Sequence, residues 1–374
     1  MKIFVVPSVF PNKHNPVAGI FVYQQCKILQ SLGHEIIVLD ASSYGITNWF
    51  DKDCFRIHSE QKDNIQIYQL HFWGLMLSRL PRLTTALYQN RLNILYKKAI
   101  KKHGKPDLLF AHFSFTSGYI ASKIAKKHNI PCIVQEHASL LLQTNHNFIL
   151  QLVKKTIQNT TKFFCVSEHL KTAIISKCFK EANIDILHNP LDTSFKFYPY
   201  SQTPNFVFFS AGNLYKNKDF SLLIKAFQKA FTGIENVELR IAGEGPEKSV
   251  LEELISQSTC KIHLLGALNT DQMRKEYINC NAFAMASNIE TFGIVYREAM
   301  AIGRPVVAVK NQGILYQWNN AYGLLSEPTL DALATQLLKM YNTHQNFDSK
   351  KISELVLNAF GKDSYIAKLS DIIR

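Results

Sequence analysis

A chain of 374 residues, 47% of them hydrophobic, is long enough for two cores, because single cores usually stop growing at about 250 to 300 residues. It offers no window of the roughly 18 to 20 uninterrupted apolar residues that a membrane-spanning helix needs. The first residues, MKIFVVP, have the pattern of a short strand rather than of a signal peptide, which predicts a cytoplasmic protein.

The net charge of +13 is unevenly distributed. Residues 1–190 hold 23 Lys/Arg and 11 Asp/Glu, a balance of +12, whereas residues 191–374 hold 19 and 18, a balance of +1. The excess predicts a polyanionic partner for the first half: an anionic membrane surface, a lipid phosphate or nucleic acid. Nucleic acid is disfavoured because the basic residues fall on predicted helices without a recognition motif or an array of aromatic residues.

Strands and helices alternate in both halves of the sequence, which predicts an α/β protein with two parallel sheets. In the first half we expect strands at 3–6, 35–40, 108–111, 132–135 and 163–166, with helices near 19–32, 84–103, 117–128 and 167–177; residues 45–83 show little regularity. After a proline-marked linker at 188–192 the pattern restarts, with strands at 206–211, 237–242, 262–265, 282–286 and 306–309. The helices of this second half are expected near 218–231, 246–257, 270–278, 294–302 and 329–342, followed by an amphipathic ending from about 353.

The most informative segment, residues 284–308, reads AMASNIETFGIVYREAMAIGRPVVA and places Glu290 and Glu298 eight residues apart around Gly293. The helix that starts after Gly293 exposes unpaired N–H groups in its first turn, and its macrodipole adds roughly half a positive charge there. A phosphate near Phe292 and Gly293 would satisfy both. Glu290 can accept from sugar hydroxyls, while Glu298, about 6 Å past Ile294 at about 1.5 Å per residue, can reach a ribose diol. The pattern therefore predicts a sugar-nucleotide site.

This segment resembles the E-x7-E signature of the retaining glycosyltransferases of family 4, including its flanks E-T-F-G-I-V and E-A-M-A-x-G-x-P-V-V. The resemblance implies a GT-B fold, in which two Rossmann-like domains face a central cleft and ligands bind at the carboxyl ends of both sheets. It implies an acceptor-binding domain at 1–188, a nucleotide-sugar domain at 189–357, and a last helix at about 358–374 that packs back on the first domain. Thr291 and Ile294 would join Phe292 and Gly293 in binding the donor.

A second segment, SAGNLYKNKDF at 210–220, follows the first strand of the second half and resembles the family's G-R-L-x-x-x-K-G. Gly212 would let the backbone approach a pyrophosphate, and Lys218 matches the lysine that family members place on the diphosphate. Asn213 stands where the family usually has arginine. Either Lys216 supplies the missing cation, or the donor is bound with one charge fewer.

Two further turns of the second half match the family. The turn IAGEGP at 241–246 resembles its I-x-G-x-G-P, although the dinucleotide fingerprint G-x-G-x-x-G is absent. LLGAL at 264–268 resembles the part whose backbone meets the base, which places the nucleobase near Leu268.

In the first half, NPVAGIF at 15–21 resembles the flexible loop that closes over the reaction centre, with Gly19 close to donor and acceptor; a simple helix start is the alternative. His137, in QEHAS at the end of a buried-looking strand, matches a histidine placed beside the transferred sugar. His112, in FAHF, is a second candidate at the end of the preceding strand.

The sequence D-K-D at 51–53 spells the D-x-D that binds a divalent metal in another transferase fold. It follows no predicted strand, and a helix terminus with Lys218 would already neutralise the leaving group. We therefore expect neither a metal nor a cofactor.

These observations predict a retaining, metal-independent glycosyltransferase with Glu290, Lys218 and His137 as its catalytic residues. The donor would be a UDP- or GDP-linked sugar, and the acceptor a lipid-linked or surface saccharide reached by peripheral contact with the inner membrane face. Two alternatives stay open: a sugar-nucleotide epimerase or phosphorylase of the same fold, and a binding module that has lost transfer.

Overall fold

The structure, a computed structural model, describes residues 1–44, 55–73, 80–200 and 204–373. The chain divides into two compact units, Met1–Asn189 and Pro190–Arg374. Each unit contains a sheet of mainly parallel strands with helices packed against it, so the predicted fold class is confirmed. Within the described residues, none of the helices has the length and apolar character needed to cross a membrane.

The first unit alternates strands and helices from its first residues onward. Its strands are β1 Lys2–Val6, β2 Glu35–Asp40, β3 Ser43–Tyr44, β4 His58–Lys62, β5 Ile65–Gln69, β6 Phe72–Trp73, β7 Leu108–His112, β8 Cys132–Glu136, β9 Lys162–Cys165 and β10 Asp185–Ile186. Its helices are α1 Ile20–Ser31, α2 Pro81–His103, α3 Tyr119–His128, α4 Leu140–Gln143, α5 Asn147–Asn159 and α6 Glu168–Lys177.

In the described part of this unit, eight strands form the main sheet in the order β10-β9-β8-β7-β1-β2-β5-β4. All its neighbours pair in parallel except β4 and β5, which form an antiparallel edge. The central strands β1, β7 and β8 are almost fully buried, as expected for parallel strands covered by helices. Their carboxyl ends, which lead into residues 7, 113 and 137, therefore lie along one edge of the sheet.

The second unit repeats the plan with six strands, β11 Phe206–Ala211, β12 Val237–Ala242, β13 Lys261–Gly266, β14 Ala282–Met285, β15 Val306–Val309 and β16 Gly323–Ser326. Its helices are α7 Phe220–Phe231, α8 Lys248–Ser256, α9 Thr270–Asn279, α10 Ile294–Ile302, α11 Gln312–Leu315, α12 Leu330–Thr343, α13 Ser349–Phe360 and α14 Lys362–Ile373. Among the residues that can be described, the strand order is β13-β12-β11-β14-β15-β16, and every pairing is parallel.

The order reverses next to β11, which has β12 on one side and β14 on the other. Open α/β sheets bind ligands at such a switch point, beyond the carboxyl ends of the strands. The loops after β11 and β14 are those that carry Lys218 and Glu290.

The structure also contains elements that the sequence pattern did not predict. The hairpin β4–β5 and strand β6 lie where little regularity was expected, and β3, which pairs with β6, directly precedes that stretch. Helix α5 was not predicted at all. The assignment of an acceptor role to the first unit and a donor role to the second stays a prediction, as does the packing of the last helix on the first unit.

Candidate functional site

Lys218 and Glu290, 72 positions apart in the sequence, meet in the second unit. Lys218 ends a 3-10 turn (Lys216–Lys218) after β11, and Glu290 lies in the loop after β14. The Lys218 Nζ donates to Glu290 Oε1 at 2.7 Å. Because β11 and β14 are parallel neighbours, their carboxyl-end loops are forced together.

The loops that carry this pair are joined through Asn288. Its backbone N–H donates to the Asn217 carbonyl at 3.0 Å, and its side chain donates to the Asp219 carboxylate at 3.1 Å. Asp219 also caps helix α7 by accepting from the Leu222 N–H. The bonds of Asn288 thus hold the loop of the Lys218 ammonium and the loop of the Glu290 carboxylate together. The side chain of Glu290 is only 7% exposed.

Helix α10 begins beside Glu290, as the motif predicted. Its N-cap is Gly293, at φ 68°, and no side chain caps the start. The N–H groups of the first turn therefore have no partner within the helix. A Cβ at Gly293 would lie 2.8 Å from the Tyr296 ring, so the left-handed turn and the tight packing both require glycine. Phe292 is buried, while Thr291 and Ile294 are partly exposed.

Arg297, on α10, is a buried charge that the sequence analysis missed. It is 3% exposed, and its guanidinium lies 4.3 Å from the centre of the Phe292 ring and 5.0 Å from that of Phe360. Nη1 donates to the Gly293 carbonyl at 3.1 Å and Nη2 to Gln317 Oε1 at 2.5 Å. Burial lowers the pKa of Arg297 to about 10, which leaves it protonated at neutral pH. The helical pattern I-V-Y-R-E contains no signal that this arginine points inward.

Glu298, the second glutamate of the motif, accepts from the Tyr277 hydroxyl at 2.9 Å. Burial raises the pKa of Glu298 to about 8; the Tyr277 hydrogen bond opposes this shift and the Asp192 carboxylate adds to it. A pKa near 8 favours the protonated form of Glu298 at neutral pH, and a neutral carboxyl can both donate to and accept from a hydroxyl.

The glycine turns after β11, β12 and β13 lie side by side. The Gly212 N–H donates to the Ala242 carbonyl at 3.0 Å, and the Gly243 N–H donates to the Gly266 carbonyl at 2.8 Å. A Cβ on Gly243 would lie 1.9 Å from the Gly212 carbonyl oxygen. Bare backbone therefore lines this edge of the sheet, as a close approach to phosphate requires.

The remaining predicted donor residues flank these turns. Asn213 and Lys216 are exposed, and Lys216 shares its short turn with Lys218. Leu268 is partly exposed, two residues after β13. Their assignment to phosphate and base stays a prediction.

In the first unit the two predicted histidines lie in contact. His112 is the last residue of β7, and His137 directly follows β8. Their rings are joined by a hydrogen bond of 3.0 Å between His112 Nδ1 and His137 Nε2. Burial lowers the pKa of His137 to about 3, and burial together with His137 lowers the pKa of His112. Both shifts favour the neutral imidazole.

Gly19 is the N-cap of α1 at φ 62°, and a Cβ there would lie 2.3 Å from the Val9 carbonyl oxygen. The predicted loop residue is thus a helix start with a close backbone approach.

Glu136, the last residue of β8, was quoted in the sequence motif but given no role. It is fully buried and its carboxylate accepts from the N–H groups of Ser114, His137 and Ala138 at 2.7–2.8 Å and from the Ser114 hydroxyl. Burial raises its pKa, and these hydrogen bonds oppose the rise. One carboxylate therefore fixes the loops after both β7 and β8, next to the two histidines.

The D-x-D at 51–53 lies outside the described residues. Within 1–44, 55–73, 80–200 and 204–373, no group of three or more His, Cys, Asp or Glu side chains is arranged to hold a metal ion. Independence from metal stays a prediction.

The two parallel-sheet units and the matches below define the class of protein: a GT-B-type glycosyltransferase. Two family models match the chain, "Glycosyltransferase Family 4" over residues 18–195 and "Glycosyl transferases group 1" over residues 193–353. The two matches together extend over most of the sequence, and the chain belongs to glycosyltransferase family 4.

Two curated relatives show the range of the family. Alpha-monoglucosyldiacylglycerol synthase of Acholeplasma laidlawii is 25% identical over 75% of this chain and 73% of its own length. The putative teichuronic acid biosynthesis glycosyltransferase TuaC of Bacillus subtilis is 23% identical over 92% of this chain and 90% of its own.

Solved structures share the fold at low identity. Sucrose-phosphate synthase from Thermosynechococcus elongatus superposes with a TM-score of 0.81 at 17% identity, covering 100% of this chain and 98% of that one. Anabaena HepE in complex with UDP and glucose gives a TM-score of 0.73 at 16% identity, covering 100% and 99%. The predicted family and GT-B fold are both confirmed.

Proposed function

We propose that this glycosyltransferase moves a sugar from a UDP- or GDP-linked donor to an acceptor hydroxyl with retention of configuration and without a metal. The observation that carries the proposal is the Lys218–Glu290 pair, placed beside the uncapped start of α10. A diphosphate is the kind of ligand that needs both a helix N-terminus and a mobile ammonium.

The pair also gives a way to couple donor binding to sugar recognition. In the free protein the ammonium of Lys218 neutralises the nearly buried carboxylate of Glu290. When a diphosphate takes over the ammonium, Glu290 is left with acceptor capacity that sugar hydroxyls can fill. The Glu290 carboxylate then exchanges an ion pair for hydrogen bonds from sugar hydroxyls, so it keeps a partner throughout, which matters because a buried charge without partners is costly.

The reaction itself requires no side-chain nucleophile. The bond between the anomeric carbon and the phosphate oxygen breaks, and its electron pair leaves with the diphosphate. The acceptor oxygen bonds to the anomeric carbon on the same face, and its proton passes to the departing phosphate oxygen. Lys218 and the N–H groups at Gly293 and Ile294 stabilise the charge that develops on the leaving group.

The remaining residues take supporting roles in this proposal. Glu298 binds the ribose diol, Leu268 lies against the base, and the turn at Gly212 admits the pyrophosphate. Gly19 and His112 belong to the acceptor side, and His137 acts there as a neutral hydrogen-bonding group beside the transferred sugar.

We propose a lipid-linked or saccharide acceptor at an anionic membrane surface. Support comes from the +12 balance of residues 1–190, and from two relatives whose names refer to a diacylglycerol glycoside and to teichuronic acid. HepE, which shares the fold, has been solved with UDP and glucose.

A panel of UDP- and GDP-sugars, assayed for nucleotide release with and without membrane extract, tests the proposal. Release that depends on extract, with a product of the same anomeric configuration as the donor, is expected. Epimerised or phosphorylated sugar would establish the first alternative, and donor binding without any turnover would establish the binding module.

Lys218→Gln should lower kcat about 10²- to 10³-fold, the usual loss when a group that stabilises developing charge is removed. Lys216→Gln is the matched control, since it removes the same charge from the same short turn but leaves Glu290 paired. If the donor is bound with one charge fewer, the control should stay within about threefold of the wild type, as a surface charge contributes little; a larger loss would show that Lys216 supplies the cation missing at Asn213. An equal loss in both variants would instead assign the phosphate charge to the turn as a whole.

A further inference from the structure

Phe113, between β7 and the following helix, has a backbone conformation that bulky residues avoid. Its dihedral angles are φ 72° and ψ 130°. Positive φ in a non-glycine residue with a large side chain is a genuine outlier. The next five residues, Ser114–Gly118, form a π-helix, which is also rare and frequent at functional sites. Unfavourable local structures of this kind are concentrated at functional sites, and two of them follow each other here.

Hydrogen bonds hold this conformation from several sides. The Phe113 N–H donates to the Gln135 carbonyl at 2.9 Å, and its own carbonyl accepts from the Gly118 N–H at 2.8 Å. The next residue, Ser114, is bound through its N–H and its hydroxyl to the buried Glu136 carboxylate. Several hydrogen bonds from different segments therefore hold Phe113 in its unfavourable backbone conformation.

The result of the strain is an aromatic cluster at the carboxyl edge of the first sheet. The Phe113 ring lies 5.2 Å from the His137 ring and 6.4 Å from the Phe21 ring, and Phe21 lies 4.7 Å from His137. Phe21 and Phe113 are both partly exposed. We call these two phenylalanines the edge pair.

Exposed aliphatic side chains occur on the segments next to the edge pair. The side chain of Val9 is 39% exposed, and its backbone makes the close contact with Gly19 at the start of α1. The side chain of Val17, two residues before Gly19, is 40% exposed. Leu140, three residues after His137, is 44% exposed. Phenylalanine, valine and leucine offer no polar atom to a sugar hydroxyl, but they match a hydrocarbon chain.

The ring of His137, which contacts both phenylalanines of the edge pair, and that of His112, which contacts His137, carry no positive charge. His137 and His112 are neutral because burial lowers the pKa of each. The exposed lysines of α2 and α3 can attract an anionic surface on the same unit.

We propose that Phe21 and Phe113 bind the hydrocarbon of a lipid acceptor whose reacting hydroxyl lies within a few bonds of its acyl chains, as in a glycerolipid. This inference rests on the proposed function and narrows its acceptor. Glu136 is the positioning residue that keeps Phe113 in place. A long lipid-linked oligosaccharide, which would present only sugar at this edge, is the acceptor that the edge pair disfavours.

The test measures kcat/KM for a series of diacylglycerols of increasing chain length in mixed micelles, with the donor found in the nucleotide-release panel. The wild type should gain about threefold to fourfold for each methylene that the edge pair buries. Phe113→Gly removes the ring and also the strain, since glycine adopts positive φ freely, so folding should be preserved. Phe113→Gly and Phe21→Ala should each flatten the dependence on chain length and lower kcat/KM for the longest acceptor at least tenfold.

Two controls separate this effect from a general defect. Donor hydrolysis by water, without acceptor, should stay within about twofold of the wild type in both variants. Phe197→Ala, which removes another partly exposed phenylalanine (37%) from the second unit, should keep the full dependence on chain length.

The outcomes distinguish the two proposals. If the wild type releases nucleotide but chain length has no effect, or if both edge-pair variants keep the wild-type dependence, the acceptor inference is wrong and the proposed function stands. Preference for a free saccharide or a lipid-linked oligosaccharide would likewise overturn the inference alone. If no sugar nucleotide is turned over at all, both fall.

Discussion

Arg297 raises the question of why a charge lies inside the second unit. Burying a guanidinium costs free energy unless its partners compensate, and a well-packed apolar side chain at such a site is often equally stable. Its hydrogen bonds go to a carbonyl and an amide, and no carboxylate lies within ion-pair distance of it in the part of the chain that is described. A positive charge therefore remains under the turn at Phe292 and Gly293, where we place the donor phosphates. We infer that this charge could compensate for Asn213, which stands at the usual arginine position.

Arg297→Met tests this role. We expect KM for the donor to rise about tenfold, because both the brace on the turn and its positive charge are lost, with kcat changed less. The midpoint of thermal unfolding should fall only slightly, since methionine can fill the space between Phe292 and Phe360 without a desolvation cost. Arg297→Lys should recover part of the donor affinity.

Arg304→Met is the matched control for Arg297→Met. Arg304 is a fully buried arginine of the same unit that donates to four backbone carbonyls away from the turn. Its loss leaves those carbonyls unsatisfied, at about 1–3 kcal/mol for each group that finds no water. We expect a clear fall in the unfolding midpoint with an unchanged donor KM. If Arg297→Met instead lowers stability but leaves donor affinity intact, Arg297 is only structural.

At the level of single residues, sequence reasoning selects candidates where a motif fixes local geometry. Lys218 and Glu290 were both predicted, and the structure brings them to 2.7 Å because each lies on a loop at a strand's carboxyl end. Arg297, Glu136 and Phe113 were missed or left without a role. Their importance depends on burial and on contacts with distant segments, which neither spacing nor residue type reveals.

At the scale of the element, helix α10 depends on its first residue. Gly293 combines a left-handed conformation with a site where a Cβ would lie 2.8 Å from the Tyr296 ring and 3.2 Å from Ile314. Substitution there therefore introduces backbone strain and a steric conflict together, and it displaces the N–H groups that we assign to phosphate.

Gly293→Ala should destabilise the protein by roughly 2–4 kcal/mol and abolish donor binding. Gly233→Ala is the matched control, because Gly233 also has positive φ (86°) but no atom within 4 Å of its added Cβ. The control should lose only the backbone contribution of roughly 1–2 kcal/mol. Thermal unfolding and donor titration of both variants measure the difference; equal stability losses would show that the contact with Tyr296 relaxes easily.

The elements that were predicted correctly have apolar strands or clear helix signals, such as β11 with its run FVFFSA and α10 with glycines at both ends. The hairpin β4–β5 was missed because β4, with the sequence HSEQK, is polar and mostly exposed; its pairing with β5 supplies the stability that its sequence does not. Helix α5 has a buried stripe at helical spacing, formed by Ile149, Leu152, Val153 and Thr156. The sequence pattern therefore does contain a signal for this helix.

At the scale of the whole molecule, the charge asymmetry follows the two units. The excess of +12 lies within residues 1–190, and the structure places exposed Lys97, Lys98, Lys101 and Lys102 together near the end of α2. A lysine near an anionic bilayer contributes about 1 kcal/mol, and the attraction falls off within a Debye length of about 10 Å at 0.1 M salt. Location of the charges, and not only their sum, should therefore decide membrane affinity.

We expect the full chain to bind vesicles that contain phosphatidylserine, with an affinity that falls as the salt concentration is raised. It should not bind purely zwitterionic vesicles. Replacing Lys97, Lys98, Lys101 and Lys102 by glutamine should weaken binding at least tenfold in sedimentation assays, because four surface cations are lost from one patch. The same change at exposed lysines of the second unit, Lys225, Lys261, Lys275 and Lys350, alters the net charge equally but should leave binding within about threefold. If the two quadruple variants lose affinity to the same extent, the attraction depends on total charge alone; if the wild type fails to bind at low salt, the membrane contact is wrong.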